Sequence, residues 1–209
     1  MTKSRRKRAY QQTARAESSA ETRRRIIEVT RELLTRAPLE NVSLPTIASA
    51  AEVARSTVYT IFGSREGLMV AVAEDLLDRG GFARIGEALR EPDVVRAFEQ
   101  SIAVAMDLYA SEYAVAQALL SLAAVDRDAS SAAARLNRGR REGMRRIAER
   151  MAAQSVLRED LTVDAAADVL WVVTSIETFS QLYRDRNLTP EQIGERLMAI
   201  TRGTLYRSS

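Results

Sequence analysis

Along most of the chain, hydrophobic residues recur every three or four positions, the spacing of one face of an α-helix. Apolar residues from Ile26 to Leu34 follow this spacing and predict a helix over 21–36. The pattern continues with a short helix after Ser43, and with helices at about 55–61, 64–79, 82–90, 92–110, 112–125, 128–154, 163–186 and 190–206. No run shows the alternation of a half-buried strand. The sequence therefore predicts an all-α fold of roughly nine or ten helices.

Caps and breakers support several of these boundaries. Pro45, Pro92 and Pro190 fall in predicted first turns, where the missing N–H of proline has no helical partner to lose. Thr189 is followed three residues later by Gln192, which is the spacing of a capping box. We therefore expect sharp starts for the second helix and the last one.

The chain contains no histidine and no cysteine. Histidine is the commonest general base and metal ligand, and cysteine supplies thiolate nucleophiles and zinc ligands, so most hydrolytic and metal-dependent catalysis is excluded. No phosphate-binding glycine loop or carboxylate cluster with metal-loop spacing is present. We therefore predict a binding protein rather than an enzyme, with no cofactor and no metal site.

Positive charge is concentrated at the N-terminus. The first 25 residues hold nine Lys and Arg against two Glu, a balance of +7, whereas the whole chain is only +3. Residues 1–20 show no apolar periodicity and are expected to form a disordered basic arm. Such an arm suits binding to a phosphate backbone, although a tail that only increases solubility has the same composition.

Residues 21–67 have the organisation of a helix-turn-helix DNA-binding domain, in which two short helices are joined by a turn. The third helix carries polar side chains on most of its surface and few apolar ones, namely Val58, Ile61 and Phe62. Arginine and hydroxyl side chains at such positions can bond phosphates and base edges. An ordinary helical hairpin with a polar outer face is the alternative.

The segment from Thr22 to about Leu77 resembles the DNA-binding domain of the tetracycline-repressor (TetR) family of bacterial transcriptional regulators. The resemblance is carried by an ordered set of residues: Ser43, Ile47-Ala48, Val53, Thr57-Val58-Tyr59, Phe62, Gly63-Ser64-Arg65-Glu66 and Leu68. Four positions depart from the family pattern: Pro45, Glu52, Ala54 and Ile61. Glu52 stands where glycine is usual and should cost stability if the turn requires a positive φ.

The resemblance implies a set of DNA contacts. The operator would be met by Thr46, Arg55, Ser56, Thr57, Tyr59, Thr60 and Arg65, with Thr46 near a phosphate and Arg65 clamping the backbone. Arg5, Arg6 and Arg8 of the arm are expected to add affinity, by analogy with arms that enter the minor groove. The partner is thus a double-stranded DNA operator, whose sequence the departures leave open.

Residues 68–209 are expected to form a helical ligand-binding and dimerisation domain, as the resemblance implies. The helix around Ala165–Val173 is apolar around its circumference and must be covered on two sides. We expect a homodimer packed through this helix and the last one, using Val172, Ile176, Phe179, Tyr183, Ile193, Leu197, Ile200 and Leu205. A larger monomeric core is the alternative.

A mostly apolar pocket is expected in the same domain. Its candidate residues are Phe82, Phe98, Met106, Tyr109, Tyr113, Gln117, Met144, Trp171, Ser175 and Thr178. Aromatic, methionine and isolated hydroxyl side chains suit such a pocket, and they suit plain core packing equally. The absence of evident buried acids favours a neutral, apolar effector. The arginine-rich stretch 135–150 is interpreted as a solvated outer face rather than a second nucleic-acid surface.

Together these expectations describe a cytoplasmic repressor released from a palindromic operator by a small, mostly apolar ligand. No segment approaches the roughly 20 apolar residues that span a bilayer, so no membrane partner is expected, and no signal peptide is evident. A regulator of the same fold that activates or has no ligand is one alternative. A helical small-molecule-binding protein or enzyme that does not bind DNA is the other.

Overall fold

The computed structural model describes the backbone of residues 2–207 and the side chains of residues 17–207. The described residues contain eleven α-helices: α1 (Thr2–Arg36), α2 (Leu44–Ala50), α3 (Arg55–Phe62), α4 (Arg65–Arg79), α5 (Phe82–Ala88), α6 (Val94–Ser111), α7 (Tyr113–Ala123), α8 (Arg127–Ala153), α9 (Val163–Val173), α10 (Ile176–Ser180) and α11 (Pro190–Leu205). A 3₁₀ turn (Leu39–Asn41) precedes α2, and a π-helical segment (Gln181–Asp185) follows α10. The predicted all-α fold is confirmed.

Local chemistry explains where several helices begin. The Ser43 hydroxyl accepts the Thr46 N–H at the start of α2. At α11 the Thr189 and Gln192 side chains each accept the other's backbone N–H, which is the predicted capping box. The helix predicted over 163–186 is instead broken between α9 and α10. There the Ser175 hydroxyl accepts the Thr178 N–H and caps α10, so a serine hydroxyl competes with the helical backbone.

Helix α1 is longer than the sequence pattern predicts. Its backbone is helical from Thr2, so the expectation of a disordered arm over residues 1–20 is not met. The physical reason is intrinsic propensity, because the segment is rich in Ala, Arg and Gln and has no Gly or Pro before Pro38. A polar helix without an apolar face has no hydrophobic period to reveal it.

Two compact units make up the chain. The first comprises residues 1–75 and 117–132, and the second comprises residues 76–116 and 133–209. The first unit thus contains the predicted DNA-binding segment, most of α4, and the α7–α8 turn. The remainder of the predicted C-terminal domain lies in the second unit.

Each unit has its own apolar core. In the first unit the fully buried side chains come from α1 to α4, for example Ile26, Ile47, Val58 and Leu68. In the second unit they come from α6, α8, α9, α10 and α11: Phe98, Ile102, Met106, Met151, Leu170, Phe179, Ile193 and Leu197. No helix in the described part of the chain is long and apolar enough to cross a membrane.

Gly67 sets the spacing between the end of α3 and the start of α4. A Cβ atom at this position would lie only 2.1 Å from the Phe62 carbonyl oxygen. Real Cβ atoms do not approach backbone oxygens so closely, and a backbone atom cannot rotate away as a side chain can. The Ser64 hydroxyl, which accepts the Gly67 N–H at 2.9 Å, caps α4 in the same turn. The end of α3 and the start of α4 therefore contact each other through backbone atoms.

Candidate nucleic-acid interface

The turn between α2 and α3 is a helix-terminating turn with a left-handed residue. The Val53 N–H donates to the Ala48 carbonyl and the Glu52 N–H donates to the Ser49 carbonyl, at 2.9 and 3.1 Å. This pair of bonds defines a Schellman motif, whose penultimate residue adopts a left-handed conformation. Glu52 has φ of 53°, so the turn does place a positive φ at this position, which is the condition under which the sequence predicts a cost in stability.

Helix α3 presents its polar residues outward. Arg55, Ser56, Tyr59 and Thr60 are exposed and Thr57 is half-buried, whereas Val58 is 1% exposed and anchors the helix in the core. No side chain caps the helix N-terminus at Ala54. The Thr57 N–H donates to the Ala54 carbonyl at 2.9 Å, whereas the N–H groups of Arg55 and Ser56, which precede it in the first turn, suit a phosphate oxygen.

Two contacts organise the exposed side chains of α3. The Arg55 guanidinium lies 5.6 Å from the Tyr59 ring centroid and donates to the Tyr59 hydroxyl at 3.2 Å. The Thr60 hydroxyl donates to the Ser56 carbonyl within the helix. Thr46, on α2, is half-buried, and its hydroxyl lies 2.8 Å from that of Ser43. Six of the predicted DNA contacts, all except Arg65, thus lie on α2 and α3.

Arg65 occupies a different environment from the one predicted. Its Nη2 donates to the Val42 carbonyl at 2.9 Å, and its Nη1 donates to Asp126 at 2.5 Å, with Asp128 at 3.7 Å. The side chain is only 17% exposed. These bonds tie the start of α4 to the residue before the α2 cap and to the α7–α8 turn, within the first unit. Contact with a phosphate would have to compete with two carboxylates.

Asp126 is the centre of this connection. Partial burial raises the pKa of Asp126, but hydrogen bonds from the Ala129 N–H and from the Arg65 guanidinium together lower it by more. The resulting pKa lies below the usual range. Asp126 thereby both caps the start of α8 and pairs with Arg65. The sequence pattern did not single out Asp126 or Asp128, because a long-range ion pair has no spacing that marks it.

A cleft of about 730 Å³ lies beside this connection, in the first unit. It is lined by residues of the 3₁₀ turn, α2 and α3, including Arg55 and Tyr59, and by the α7–α8 turn. None of the predicted ligand residues lines it. The arm residues Arg5, Arg6 and Arg8 lie outside the described side chains.

The predicted ligand residues do not form one set. Phe98 and Met106 are 1% and 0% exposed and belong to the core of the second unit, so core packing describes them. Phe82 is 50% exposed, and Gln117 belongs to the first unit. The others lie in the second unit: Tyr109, Tyr113, Met144, Trp171, Ser175 and Thr178.

Several of these residues converge on the break between α9 and α10. The Tyr109 hydroxyl donates to the Thr174 carbonyl at 3.0 Å, and the Thr174 hydroxyl lies 3.5 Å from the Met144 sulfur. Burial raises the pKa of Tyr109, against a smaller opposite effect of Arg140. The hydroxyl of Tyr113, which packs on Phe179, is buried and has no hydrogen-bond partner among the described residues.

Arg140 was not foreseen at this break. It belongs to the arginine-rich stretch interpreted as a solvated face, yet its guanidinium carbon lies 3.5 Å from the Trp171 ring centroid. Its Nη1 donates to the Trp171 carbonyl at 3.0 Å and to the Thr174 hydroxyl at 3.1 Å. The carbonyl and the hydroxyl that Arg140 contacts lie at the break between α9 and α10. The sequence pattern did not predict this break.

Half of the predicted dimer residues are core residues. Phe179, Ile193, Leu197 and Leu205 are each 0% exposed within a single chain. They cannot offer surface to a second copy, so their assignment to an interface is wrong. Their apolar stripes are buried by α6, α9 and α11 of their own unit. The predicted residues that do retain exposed or half-exposed surface are Val172, Ile176, Tyr183 and Ile200.

A short helix with an exposed polar face, presented by a tight turn and anchored by one buried valine, is the arrangement of a helix-turn-helix, a motif typical of DNA-binding domains. Residues 26–72 match the family model described as "Bacterial regulatory proteins, tetR family". The match covers 47 of the 209 residues and is confined to the helix-turn-helix segment, which therefore resembles the DNA-binding domain of that family.

Solved structures share the fold over nearly the whole chain. NalD, the secondary repressor of the MexAB-OprM multidrug efflux pump in Pseudomonas aeruginosa, is 21% identical with a TM-score of 0.74, covering 92% of this chain and 100% of its own. A TetR-family regulator of Syntrophomonas wolfei str. Goettingen is 17% identical with a TM-score of 0.73, covering 88% and 94%.

A third similar structure contains a small molecule. It is a transcriptional regulator from Saccharomonospora viridis in complex with choline, 16% identical with a TM-score of 0.64, and the match covers 90% of this chain and 100% of that one. No curated protein matches the chain. At these identities the likeness establishes the fold and leaves the operator and effector to the residues of this chain.

Proposed function

We propose that the protein is a homodimeric repressor that binds a palindromic operator and is released by a small, mostly apolar ligand. The observation that carries this proposal is the row of exposed Arg55, Ser56, Tyr59 and Thr60, with half-buried Thr57 among them, on a helix of only eight residues. A helix of this length with one fully buried side chain contributes little to a core, and it fits the major groove.

In the proposed complex α3 enters the major groove. Arg55 reads a base edge or binds phosphate, and the hydroxyl side chains of Ser56, Thr57 and Thr60 bond phosphates or bases. Tyr59 positions Arg55 through the hydrogen bond that joins them. Thr46 approaches a phosphate from the start of α2. Arg65 acts mainly by fixing α2 relative to α4 rather than by direct contact.

The basic N-terminal segment adds non-specific affinity. Its cations release counterions from DNA when they bind, so its contribution depends steeply on salt. Substitution of Arg5, Arg6 and Arg8 by Gln should weaken binding and flatten the salt dependence, without changing which sequence is preferred. Unchanged affinity and slope would remove the arm from the interface.

Dimerisation places two copies of α3 on successive major grooves. We assign the interface to the surface around Val172 and Ile200, which are 60% and 51% exposed although apolar, with half-buried Ile176 and Tyr183 beside them. Large exposed apolar side chains are typical of association surfaces. A two-fold dimer implies half-sites about 34–36 Å apart, or a multiple of that spacing.

Ligand release follows from a change in this spacing. The ligand binds the second unit near the α9–α10 break and favours a dimer state in which α4, and the α3 helix joined to it, no longer match two half-sites together. A ligand that binds both states equally would have no effect on DNA affinity. Chromosomal DNA as the partner implies a cytoplasmic protein.

The test is a salt-titrated binding assay on the DNA upstream of the protein's own gene, measured by fluorescence anisotropy. The double variant Thr57→Ala with Tyr59→Ala should lose sequence-specific binding while retaining its helical circular dichroism. Ser121→Ala with Ser130→Ala is the matched control, because these exposed hydroxyls of the same unit lie outside α3. Intact specific binding by the α3 variant would favour the alternative of a small-molecule-binding protein without a DNA role.

The direction of regulation is tested with the same DNA. A reporter gene under the operator should be more active when the regulator is deleted. Reduced reporter activity would instead identify an activator, which is the second candidate within the same fold.

A further inference from the structure

We propose that the effector carries a carboxylate, and that the Nε–Nη2 edge of Arg140 binds it beside Trp171. The inference rests on the proposed ligand-responsive function and names the chemical class of the ligand. It concerns the second unit alone, at the break between α9 and α10.

The first step is the geometry of the guanidinium. Both Nη1 protons of Arg140 are directed to acceptors at the helix break, the Trp171 carbonyl and the Thr174 hydroxyl. The Thr174 hydroxyl in turn donates to the Leu170 carbonyl at 2.7 Å. Stacking on the Trp171 ring at 3.5 Å fixes the plane of the group. The hydrogen bonds of Nη1 and the Trp171 ring therefore fix the orientation of the Arg140 guanidinium.

The second step concerns Nε and Nη2, the other two nitrogens of the Arg140 guanidinium. Nε and Nη2 of Arg140 have no hydrogen-bond partner among the described residues, and neither is sealed from solvent. These two nitrogens form the edge of a guanidinium that a carboxylate bridges with two parallel hydrogen bonds. A ligand thus meets a donor pair that is already oriented, so little side-chain entropy is lost on binding.

The third step concerns charge. No carboxylate oxygen in the described part of the chain lies within 4.0 Å of the Arg140 guanidinium. Burial lowers the pKa of Arg140, and the nearby Tyr109 and Glu177 offset this only partly. Arg141 lies 5.4 Å from the same Trp171 ring and adds a second positive charge. A half-buried cation with so little compensation favours an anionic ligand over a neutral one.

The surroundings select the rest of the molecule. The Trp171 ring lies against the guanidinium, and the Met144 sulfur lies 3.5 Å from the Thr174 hydroxyl that Arg140 contacts, so both offer apolar, polarisable surface near the donor edge. A carboxylate can bridge the Nε–Nη2 edge while the rest of its molecule packs on the Trp171 ring, whereas inorganic phosphate has no apolar part to pack there. We therefore expect a carboxylate attached to an apolar or aromatic body.

Trp171 is the only tryptophan and lies directly under Arg140, so its fluorescence reports on the site. The probes are phenylacetate, cinnamate and octanoate, each paired with its primary amide, and inorganic phosphate. The full-length protein is titrated without DNA. At least one acid should change the Trp171 emission saturably and bind about 10- to 100-fold more tightly than its amide, as expected for hydrogen bonds to a charged group.

Three variants identify the group responsible. Arg140→Gln should abolish the preference for acid over amide, and Arg140→Lys should reduce it because an ammonium lacks the paired edge. Glu177→Gln should strengthen acid binding by removing a competing charge. Arg138→Gln, exposed on the same helix and outside the Trp171 contacts, is the matched control and should keep the preference. If Arg140→Gln does not fold, the lysine variant and the amide comparison still decide.

The inference is overturned if no acid changes the emission, if amides or phosphate bind as well as the acids, or if Arg140→Gln keeps the preference. Operator binding is measured separately, so the two proposals fail separately. Acid binding that leaves the DNA complex intact would support the carboxylate site and contradict ligand release. Loss of operator binding by the α3 variant says nothing about Arg140.

Discussion

The left-handed backbone at Glu52 allows a direct test of how the helix-turn-helix turn is built. Glu52 is exposed, has φ of 53°, and closes the Schellman motif at the end of α2. A side chain with a Cβ atom is strained in this conformation, whereas glycine is not. We therefore expect Glu52→Gly to stabilise the protein.

The magnitude follows from two opposing effects. Relief of left-handed strain is worth about 1–2 kcal/mol. Glycine loses more backbone entropy on folding, at a cost of about 0.5–1 kcal/mol. The difference between these ranges is about 0–1.5 kcal/mol, so the free energy of unfolding should rise by about 0.7 kcal/mol at the midpoint, which corresponds to a melting temperature higher by about 1–3 °C for a chain of this size.

Urea and thermal unfolding, followed by far-UV circular dichroism, measure this change. Glu52→Ala removes the same charge but keeps the Cβ atom, so it should give no comparable gain. Ser155→Gly is a positive control. Ser155 has φ of 55° in an equivalent turn after α8, so glycine should stabilise the protein there as well. If Glu52→Ala stabilises as much as Glu52→Gly, the effect is electrostatic and the backbone argument is refuted.

Three further predictions concern other parts of the chain. Because the pKa of Asp126 is lowered on folding, its stabilising effect is complete above about pH 4 and is lost as the pH falls through the folded value. Asp126→Asn should therefore be less stable at neutral pH, and its difference from the unmodified protein in urea unfolding should shrink in acid. A constant difference would contradict this. Phe179→Ala should lose about 3–5 kcal/mol of stability as a core truncation, whereas Phe82→Ala, at an exposed site, should lose less than about 1 kcal/mol. Equal losses in chemical denaturation would refute the distinction. Val172→Arg with Ile200→Arg should give monomers in analytical ultracentrifugation, and a stable dimer would place the interface elsewhere.

The recognition of the DNA-binding segment was within reach of the sequence because its signals are local. A serine cap, a turn position, a Thr-hydrophobe-Tyr run and a glycine end are read along a few consecutive residues. Their spacing predicted the exposed side of α3 and the buried Val58, and it raised the question of φ at Glu52. Each of these features is determined by neighbours within one or two helical turns.

The second unit was less predictable because its features depend on distant residues. An apolar stripe such as that of Ile193 and Leu197 indicates that one face of a helix is buried. It does not indicate whether the same chain or a second copy buries that face. Arg140 belongs to an arginine-rich stretch that has the composition of a solvated face. Its contacts with Trp171 and Thr174 depend on the helix break, which the sequence pattern does not show. The ion pair of Arg65 with Asp126 joins residues 61 positions apart and leaves no periodic trace.

The close approach at Gly67 has a mechanical consequence for the first unit. Where two helices touch through side chains, a small displacement is absorbed by rotamer changes and spreads into the surroundings. At Gly67 the contact is to the carbonyl of Phe62, and no rotatable group lies between the two backbones. A tilt in the first turn of α4 therefore cannot be absorbed by side-chain rotamers at this contact and must move the end of α3 or the intervening backbone.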